Sequence, residues 1–439
     1  MSSTEAPQEL DTNIESLGHP KIDSPFNVGR FIADDARILF HTSVDELEKH
    51  IAAGTEPPTL VKAGPRSKIF FDPSKLRCAV VTCGGLCPGL NDVIRSVVLT
   101  LYYTYGVRQV YGIRYGLQGF IAKYRHPVVE LGPDDVTEIN QLGGTILGSS
   151  RGPQEVDQIV DALERLNIGI LFMIGGDGTF RAAERISGEI RARGLKISVI
   201  GIPKTIDNDI KFVERSFGFQ TAVREAAKAI DSAHVEALGA PNGVGLVKLM
   251  GRHSGFIAAQ ATLASRNVNL VLAPEFDFDI EGRDGLLAWL EERLERRRHA
   301  VIVVAEGAGQ EYCAGEGTDE SGNLRLGDIG IYLKDVINRH CKERGIELNL
   351  KYIDPSYIIR SVRANAEDSV FCGFLGQQAV HAGMAGKTAM IVGSWSSQFV
   401  YVPIALVIRG RKQLDLMGAT WRSVLEATGQ PRLKENQSW

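Results

Sequence analysis

The chain has 439 residues, with 49 Lys and Arg against 53 Asp and Glu, a formal charge of −4. Hydrophobic residues make up 44% and charged residues 23%, a globular balance that excludes wholesale disorder and leaves no basic excess for holding nucleic acid. At about 150 residues per domain the length suggests roughly three units, and two large α/β domains fit as well.

Residues 1–75 are unlike the rest. Met1–Gly29 is rich in Ser, Pro and acids and reads as a loose arm. It holds no apolar core of a signal sequence, and runs such as Phe399–Ile408 are too short to span a membrane. A cytoplasmic protein is expected. Six Cys in so long a chain make no disulfide framework. Cys83 and Cys87 have no second pair at zinc spacing and read as buried thiols.

From Leu76 strands and helices alternate. Arg77–Thr82 reads as a buried strand, and Leu90, Val93, Ile94, Val97, Val98 and Leu101 then repeat at helical spacing. Ile168–Ile174 is a strand, followed by a helix through Phe180, Ala183, Ile186 and Ile190, and Ile197–Ile202 is another strand. A second series begins with a helix through Phe219 and Ile230, then strands at Gly245–Leu249, Val268–Leu272 and Ala300–Ala305. Glu306–Asp328 reads as a surface loop, Asp328–Arg344 as a helix, Tyr357–Arg360 as a turn. A helix through Gln378 and strands near Thr388–Val392 and Val400–Val402 follow. The alternation implies an α/β protein with doubly wound, mostly parallel sheets. The basic run Arg296–Arg298 closes an amphipathic helix and suits its dipole.

Three turns carry chemistry. Gly84-Gly85-Leu86-Cys87-Pro88-Gly89 joins a strand to a helix, so its amides can meet phosphate oxygens; a tight structural turn is the alternative. Gly175-Gly176-Asp177-Gly178-Thr179 repeats the arrangement and adds a carboxylate at a strand end, where a hard cation can be held. Pro203-Lys204-Thr205-Ile206-Asp207-Asn208-Asp209 packs two carboxylates beside a hydroxyl and an amine. One carboxylate can take a proton from an attacking hydroxyl while the other faces a metal or cation; an Asx-rich turn is the alternative. Downstream, Met250-Gly251-Arg252 follows a strand and opens a helix, Pro274-Glu275 follows another strand, and Tyr357-Ile358-Ile359-Arg360 follows Lys351. Arg151 and Arg252 can fork onto phosphate. Gly386-Lys387-Thr388 imitates the end of a Walker A loop but has His381 where that loop needs Gly, and it reads as a turn entering a strand.

Together these motifs resemble the 6-phosphofructokinase family, in the family's order, from about Arg77 to about Arg409. The resemblance implies two Rossmann-like domains with the site between them and Mg²⁺-dependent phosphoryl transfer to the 1-hydroxyl of fructose 6-phosphate. On the family's motifs, Gly84, Arg151, Gly152, Gly176, Gly178 and Thr179 match the donor site, Asp177 the Mg²⁺ ligand and Asp207 the general base. Thr205, Lys204 and Arg252 stand beside that base. Thr205, Ile206, Asp207, Met250, Gly251, Arg252, Glu275, Lys351, Tyr357, Ile358, Ile359 and Arg360 match the sugar-phosphate site. The domains implied are an arm and extension (1–75), a phosphate-donor domain (76–217 plus 359–409), a sugar-phosphate domain (218–358) and a C-terminal tail (410–439). Pyrophosphate users typically carry Asp at the place of Gly178 and Lys at that of Lys204, and many bacterial ATP enzymes carry Gly at both; Gly178 with Lys204 resembles the ATP-dependent group of plants, trypanosomatids and some bacteria. A homo-oligomer, dimer or tetramer, and allosteric control are implied too. The sequence departs from the short bacterial enzymes at Gly243, Lys351 and Tyr357, where those carry Arg, Arg and His, so their phosphate grip and effector site are not carried over. The competing readings are a pyrophosphate-dependent enzyme, a Gly-Gly-Asp-Gly kinase acting on NAD or lipid, and a regulatory subunit that only binds sugar phosphate. Intact Asp177 and Asp207 argue against the last.

Overall fold

Apolar runs build the larger sheet. Arg77–Thr82, Ile170–Gly175 and Ser198–Pro203 are buried almost throughout and pair in parallel. Only a strand covered on both faces needs such unbroken apolar sequence. The computed structural model describes residues 10–26, 29–313, 315, 317–318 and 325–434. Among these, the sheet runs Arg37–Leu39, Thr59–Lys62, Gln398–Pro403, Met390–Trp395, Ser198–Pro203, Ile170–Gly175, Arg77–Thr82, Gln109–Ile113, Val128–Glu130. The five strands from Met390–Trp395 to Gln109–Ile113 are parallel, and the strands on either side of them pair antiparallel.

Alternate side chains of these strands enter different layers. Ala79, Val81, Leu171, Met173 and Val199 join Ile159, Leu163, Phe180 and Ile186 of the helices Val156–Arg165 and Asp177–Ala192 in one cluster. Ile170 instead meets Gly383 of the helix Ala366–Met384, which also packs on the helix Leu90–Leu99. Each such side chain, fully buried, contributes about 1.5–3 kcal/mol over exposure.

The second sheet has the order Leu270–Leu272, His299–Ala305, Gly243–Leu249, Asn349–Ile353, all parallel. The helix Phe219–Leu238 lies on the backbone of Gly243–Leu249. A Cβ at Gly243 would fall 2.0 Å from the Ala237 carbonyl oxygen, and one at Gly245 2.8 Å from that of Ala233. A side chain at Gly243 would collide with the backbone of Ala237, so packing requires glycine there.

The chain thus forms two compact units. The described residues of the first lie in Met1–Thr205, Ile210–Phe217 and Ala366–Gly410, and those of the second in Ile206–Asp209, Gly218–Asn365 and Arg411–Trp439. Both are Rossmann-like, with parallel strands and covering helices.

Several expectations need correction. The arm is not loose over residues 10–26: Glu15–Ser16 pairs with Lys387–Thr388, and Ile22–Asp23 with Lys68–Ile69. Paired backbone groups hold it down; residues 1–9 and 27–28 lie outside the described residues. The extension is not separate either, since Thr59–Lys62 adds to the larger sheet beside Gln398–Pro403. The expected tail folds into the second unit. Its helix Ala419–Thr428 buries Trp421 completely and packs on the helix Phe256–Ser265. Gln430 then closes the sheet edge, accepting from the Val271 amide at 2.8 Å and donating to its carbonyl at 3.1 Å. Residues 435–439 lie outside the described residues.

Tyr357–Arg360 is not a turn but part of the helix Ser356–Ser361, which follows Pro355; Asp354 Oδ1 accepts from the Ser356 amide at 3.1 Å. Met250–Arg252 does not open a helix; the next one begins at Phe256. The helix from Leu90 ends as an α-helix at Leu99 and widens into a π-helical stretch, Thr100–Tyr105. The loop read over Glu306–Asp328 contains the short helix Gln310–Cys313, and its residues 314, 316 and 319–324 lie outside the described residues.

Candidate active site

In the first unit the strands Arg77–Thr82, Ile170–Gly175 and Ser198–Pro203 are neighbours and parallel. Their carboxyl ends therefore release three turns side by side, the edge where α/β sheets bind ligands. The turns hold one another. The Gly84 amide donates to Ser150 O at 3.1 Å, and Ser149 Oγ to Gly84 O at 2.6 Å. Lys204 is buried, and its Nζ donates to Gly85 O at 2.8 Å while its amide donates to Gly175 O at 2.9 Å. A Cβ on Gly85 would lie 3.4 Å from an Arg151 guanidinium nitrogen, and one on Gly176 3.2 Å from Lys204 O. So Gly84, Arg151, Gly152, Gly176, Asp177, Gly178, Thr179 and Lys204 stand together, with Arg151 and Gly178 open to solvent and Thr179 buried. Thr205 follows, its carbonyl accepting from Ser216 Oγ at 2.6 Å.

Asp177 opens the helix Asp177–Ala192, where the dipole favours negative charge. Its Oδ2 accepts from Arg181 Nε at 3.1 Å, one turn on. The carboxylate stays partly exposed, at 21% of its side-chain surface. A Cβ on Gly178 would meet nothing within 4 Å. Among the described residues no group of three or more His, Cys, Asp or Glu could hold a metal. Asp177 alone suits Mg²⁺, which takes one or two carboxylates and completes its shell from phosphates and water. Cys83, shut in beside these turns, is a free thiol whose pKa burial pushes up to about 12.

The second unit repeats the arrangement. Its four parallel strands end at Leu249, Leu272, Ala305 and Ile353, and the residues that follow include Met250–Arg252, Glu275, Glu306 and Tyr357–Arg360. Asp207 sits here. Part of the residue is open, but its Oδ1 is sealed from solvent. Loss of solvent, then the charges of Asp209 and Glu306, raise its pKa well above the ordinary carboxylate range, against the Arg252 backbone amide and the Arg411 charge. Ser254 Oγ donates to Asp207 O at 3.0 Å. Asp209 faces a cation: its Oδ2 lies 3.0 Å from Arg411 Nη1, and its carbonyl accepts from the Lys412 amide at 2.8 Å.

Glu275 is spent on backbone. Its oxygens accept from the Gly255 amide at 2.9 and 3.0 Å and from the Leu414 amide at 2.8 Å. Burial raises its pKa, and those amides oppose the rise. Gly251 O accepts from Gly307 N at 3.1 Å, tying the Met250–Arg252 turn to the strand end at Glu306. Tyr357 and Ile358 are exposed, Ile359 is fully buried, and the Arg360 guanidinium lies 4.4 Å from the Tyr357 ring centre. Ile206 is buried as well. Lys351 is not brought into this group: it is exposed in mid-strand, opposite Gly245.

Sequence reasoning missed Arg411, Glu306, Arg181 and Lys248. Glu306 carried a signal, an acid just past an apolar strand. Arg411 carried none, because only the fold brings it to Asp209.

The Phosphofructokinase family profile matches residues 77–383. The chain is 50% identical to the ATP-dependent 6-phosphofructokinase of Borreliella burgdorferi, over 98% of this chain and 99% of that one. It is 48% identical to that of Amycolatopsis methanolica, over 96% and 95%, and 47% identical to that of Trypanosoma brucei brucei, over 88% and 79%. A pyrophosphate-dependent phosphofructokinase from Marinobacter aquaeolei has a similar fold, with a TM-score of 0.66 at 20% identity, over 83% of this chain and 95% of that one.

Proposed function

The chain belongs to the phosphofructokinase family, and on that footing we propose that it transfers the terminal phosphate of ATP to the 1-hydroxyl of D-fructose 6-phosphate, giving fructose 1,6-bisphosphate and ADP, a step of glycolysis. The observation that carries the chemistry is Asp207, a carboxylate with a raised proton affinity beside a second carboxylate. A weak hydroxyl nucleophile needs such a base, and the best base has a pKa close to the working pH. Asp207 accepts the proton as the sugar oxygen bonds to the γ-phosphorus and the bond to the β–γ bridging oxygen breaks. Arg252, whose amide holds Asp207, offers a planar fork to phosphate oxygens. Tyr357 and Arg360 present an exposed ring and guanidinium for the 6-phosphate.

The turns of the first unit take the donor. The turns at Gly84–Gly85, Gly152 and Gly176–Gly178 face its phosphates, helped by the helix start at Asp177. Mg²⁺, when bound, neutralises charge on the donor oxygens, and Asp177 is the residue that would hold it. Lys204 ends this stretch, and Thr205, Ile206 and Asp207 begin the acceptor set, so the chain runs directly from one to the other.

Gly178 supports ATP as the donor. It has open space over it and adds no charge where the inner phosphate of a nucleotide would pass. The Cβ of an Asp would meet no protein atom within 4 Å, and its added charge would face the ligand. Coupled assays with fructose 6-phosphate, Mg²⁺ and either ATP or pyrophosphate test this in wild type and Gly178→Asp. ATP turnover in the wild type and its loss in the variant are expected. Robust wild-type turnover with pyrophosphate and none with ATP would overturn the donor assignment. No helix among the described residues is long and apolar enough to cross a membrane. The same family reading has the enzyme act in the cytoplasm as a homo-oligomer, dimer or tetramer.

A further inference from the structure

Lys248 is a charged residue on the central strand Gly243–Leu249 of the second sheet, with its side chain 12% exposed. Its amine lies 2.7 Å from Asp328 Oδ2 and 3.0 Å from Asp354 Oδ2. Both carboxylates are already committed to helix starts. Asp328 Oδ1 accepts from the Ile331 amide at 3.1 Å and from Tyr352 OH at 3.2 Å. Asp354 Oδ1 accepts from Ser356 N at 3.1 Å. One ammonium with three donors thus closes a cluster drawn from three elements.

Two features point past simple support. The helix Ser356–Ser361 has six residues, too few to be stable alone, and Tyr357 and Ile358 on it are exposed, at 76% and 64%. Its placement therefore rests on Ile359 in the core and on Asp354, which bonds its first amide and is held by Lys248. Lys248 also stands two residues before Met250, so the strand that carries it feeds directly into Met250–Arg252.

We propose that Lys248 is a positioning residue for the sugar phosphate, fixing the helix of Tyr357 and Arg360 in register with the Met250–Arg252 turn by gripping Asp354 and Asp328. The proposal rests on the reading that these two segments hold fructose 6-phosphate. Lys248→Met keeps the length of the side chain and removes the grip. The KM for fructose 6-phosphate should rise about tenfold or more, while kcat at saturating sugar and the KM for ATP stay within about twofold. Lys248→Arg, which restores a cation, should recover most of the sugar affinity. Breaking a buried pair can prevent folding, so Asp354→Asn is the second variant: an Asn oxygen can still accept from the Ser356 amide but gives the amine no charge. It should shift the sugar KM in the same direction. Folded Lys248→Met or Asp354→Asn with an unchanged sugar KM overturns the proposal, as does an equal rise in both substrate constants, which marks a general structural role. Arg360→Ala separates the two levels. If it leaves the sugar KM unaltered, the sugar-site reading itself fails and this proposal with it; if it raises the sugar KM while folded Lys248→Met does not, only the positioning role falls.

Discussion

Asp207 holds its carboxylate away from solvent and beside the charge of Asp209, so its proton leaves reluctantly. An acid whose folded pKa lies above its unfolded value contributes stability below the unfolded pKa, and that stability is lost as pH rises through the folded pKa. At neutral pH an ionised Asp207 therefore works against the fold, the cost of the base role proposed for it. Asp207→Asn keeps the shape and an acceptor for the Arg252 amide, and removes the charge. Turnover should fall by about 10²–10⁴ with little change in sugar affinity. The same variant should melt at a higher temperature than wild type at neutral pH, and this gain should shrink as pH falls toward the ordinary carboxylate range. Near-normal turnover would refute the base assignment. A melting difference independent of pH would refute the electrostatic one. Asp207 was legible because two carboxylates two residues apart after a strand make a recognisable pattern. Its partner cation Arg411 was not, since a basic residue in an apparent tail looks like any surface charge until the fold brings it within 3.0 Å of Asp209.

Elements defined by their own apolar runs were read correctly. Arg77–Thr82 matches residue for residue, and Ile170–Gly175 and Ser198–Pro203 are displaced by a residue or two. The failures are elements made by tertiary contact. Ser356–Ser361 is a short helix whose first amide is bonded by Asp354, and Glu15–Ser16 is a strand because Lys387–Thr388 is there to pair with it. Gln430 shows the limit most clearly. A polar side chain in a C-terminal segment gives no sign that it completes the edge strand Leu270–Leu272 by bonding both backbone groups of Val271. Gln430→Ala leaves a buried amide and carbonyl without those partners, at a cost of about 1–3 kcal/mol. The denaturant midpoint should drop with the slope unchanged. Because Gln430 bonds the backbone of the edge strand and the neighbouring Thr428, kcat for the folded fraction should stay at the wild-type level. A midpoint shift within error would show that solvent replaces the bonds without loss.

The chain passes between its two units at 205–206, 209–210, 217–218, 365–366 and 410–411, so neither unit is one continuous stretch. The second unit owes its closing helix to residues beyond 410. Trp421, fully buried there, stands in a layer over the helix Phe256–Ser265, and a buried Trp lost from a core costs about 3–5 kcal/mol. With Gln430 gone as well, the deficit approaches the whole stability of an ordinary domain, about 5–15 kcal/mol. A fragment of residues 218–365, the largest continuous piece of that unit, should therefore lack a cooperative transition. It should unfold broadly in denaturant and bind a dye specific for exposed apolar surface. Co-expression of residues 411–434 as a separate peptide should restore a sharp transition, because that segment carries Trp421, Gln430, and the Leu414 amide that Glu275 accepts. A single sharp transition for 218–365 alone would show that its sheet and the helix Phe219–Leu238 suffice, and the closing segment would then serve the site rather than the fold.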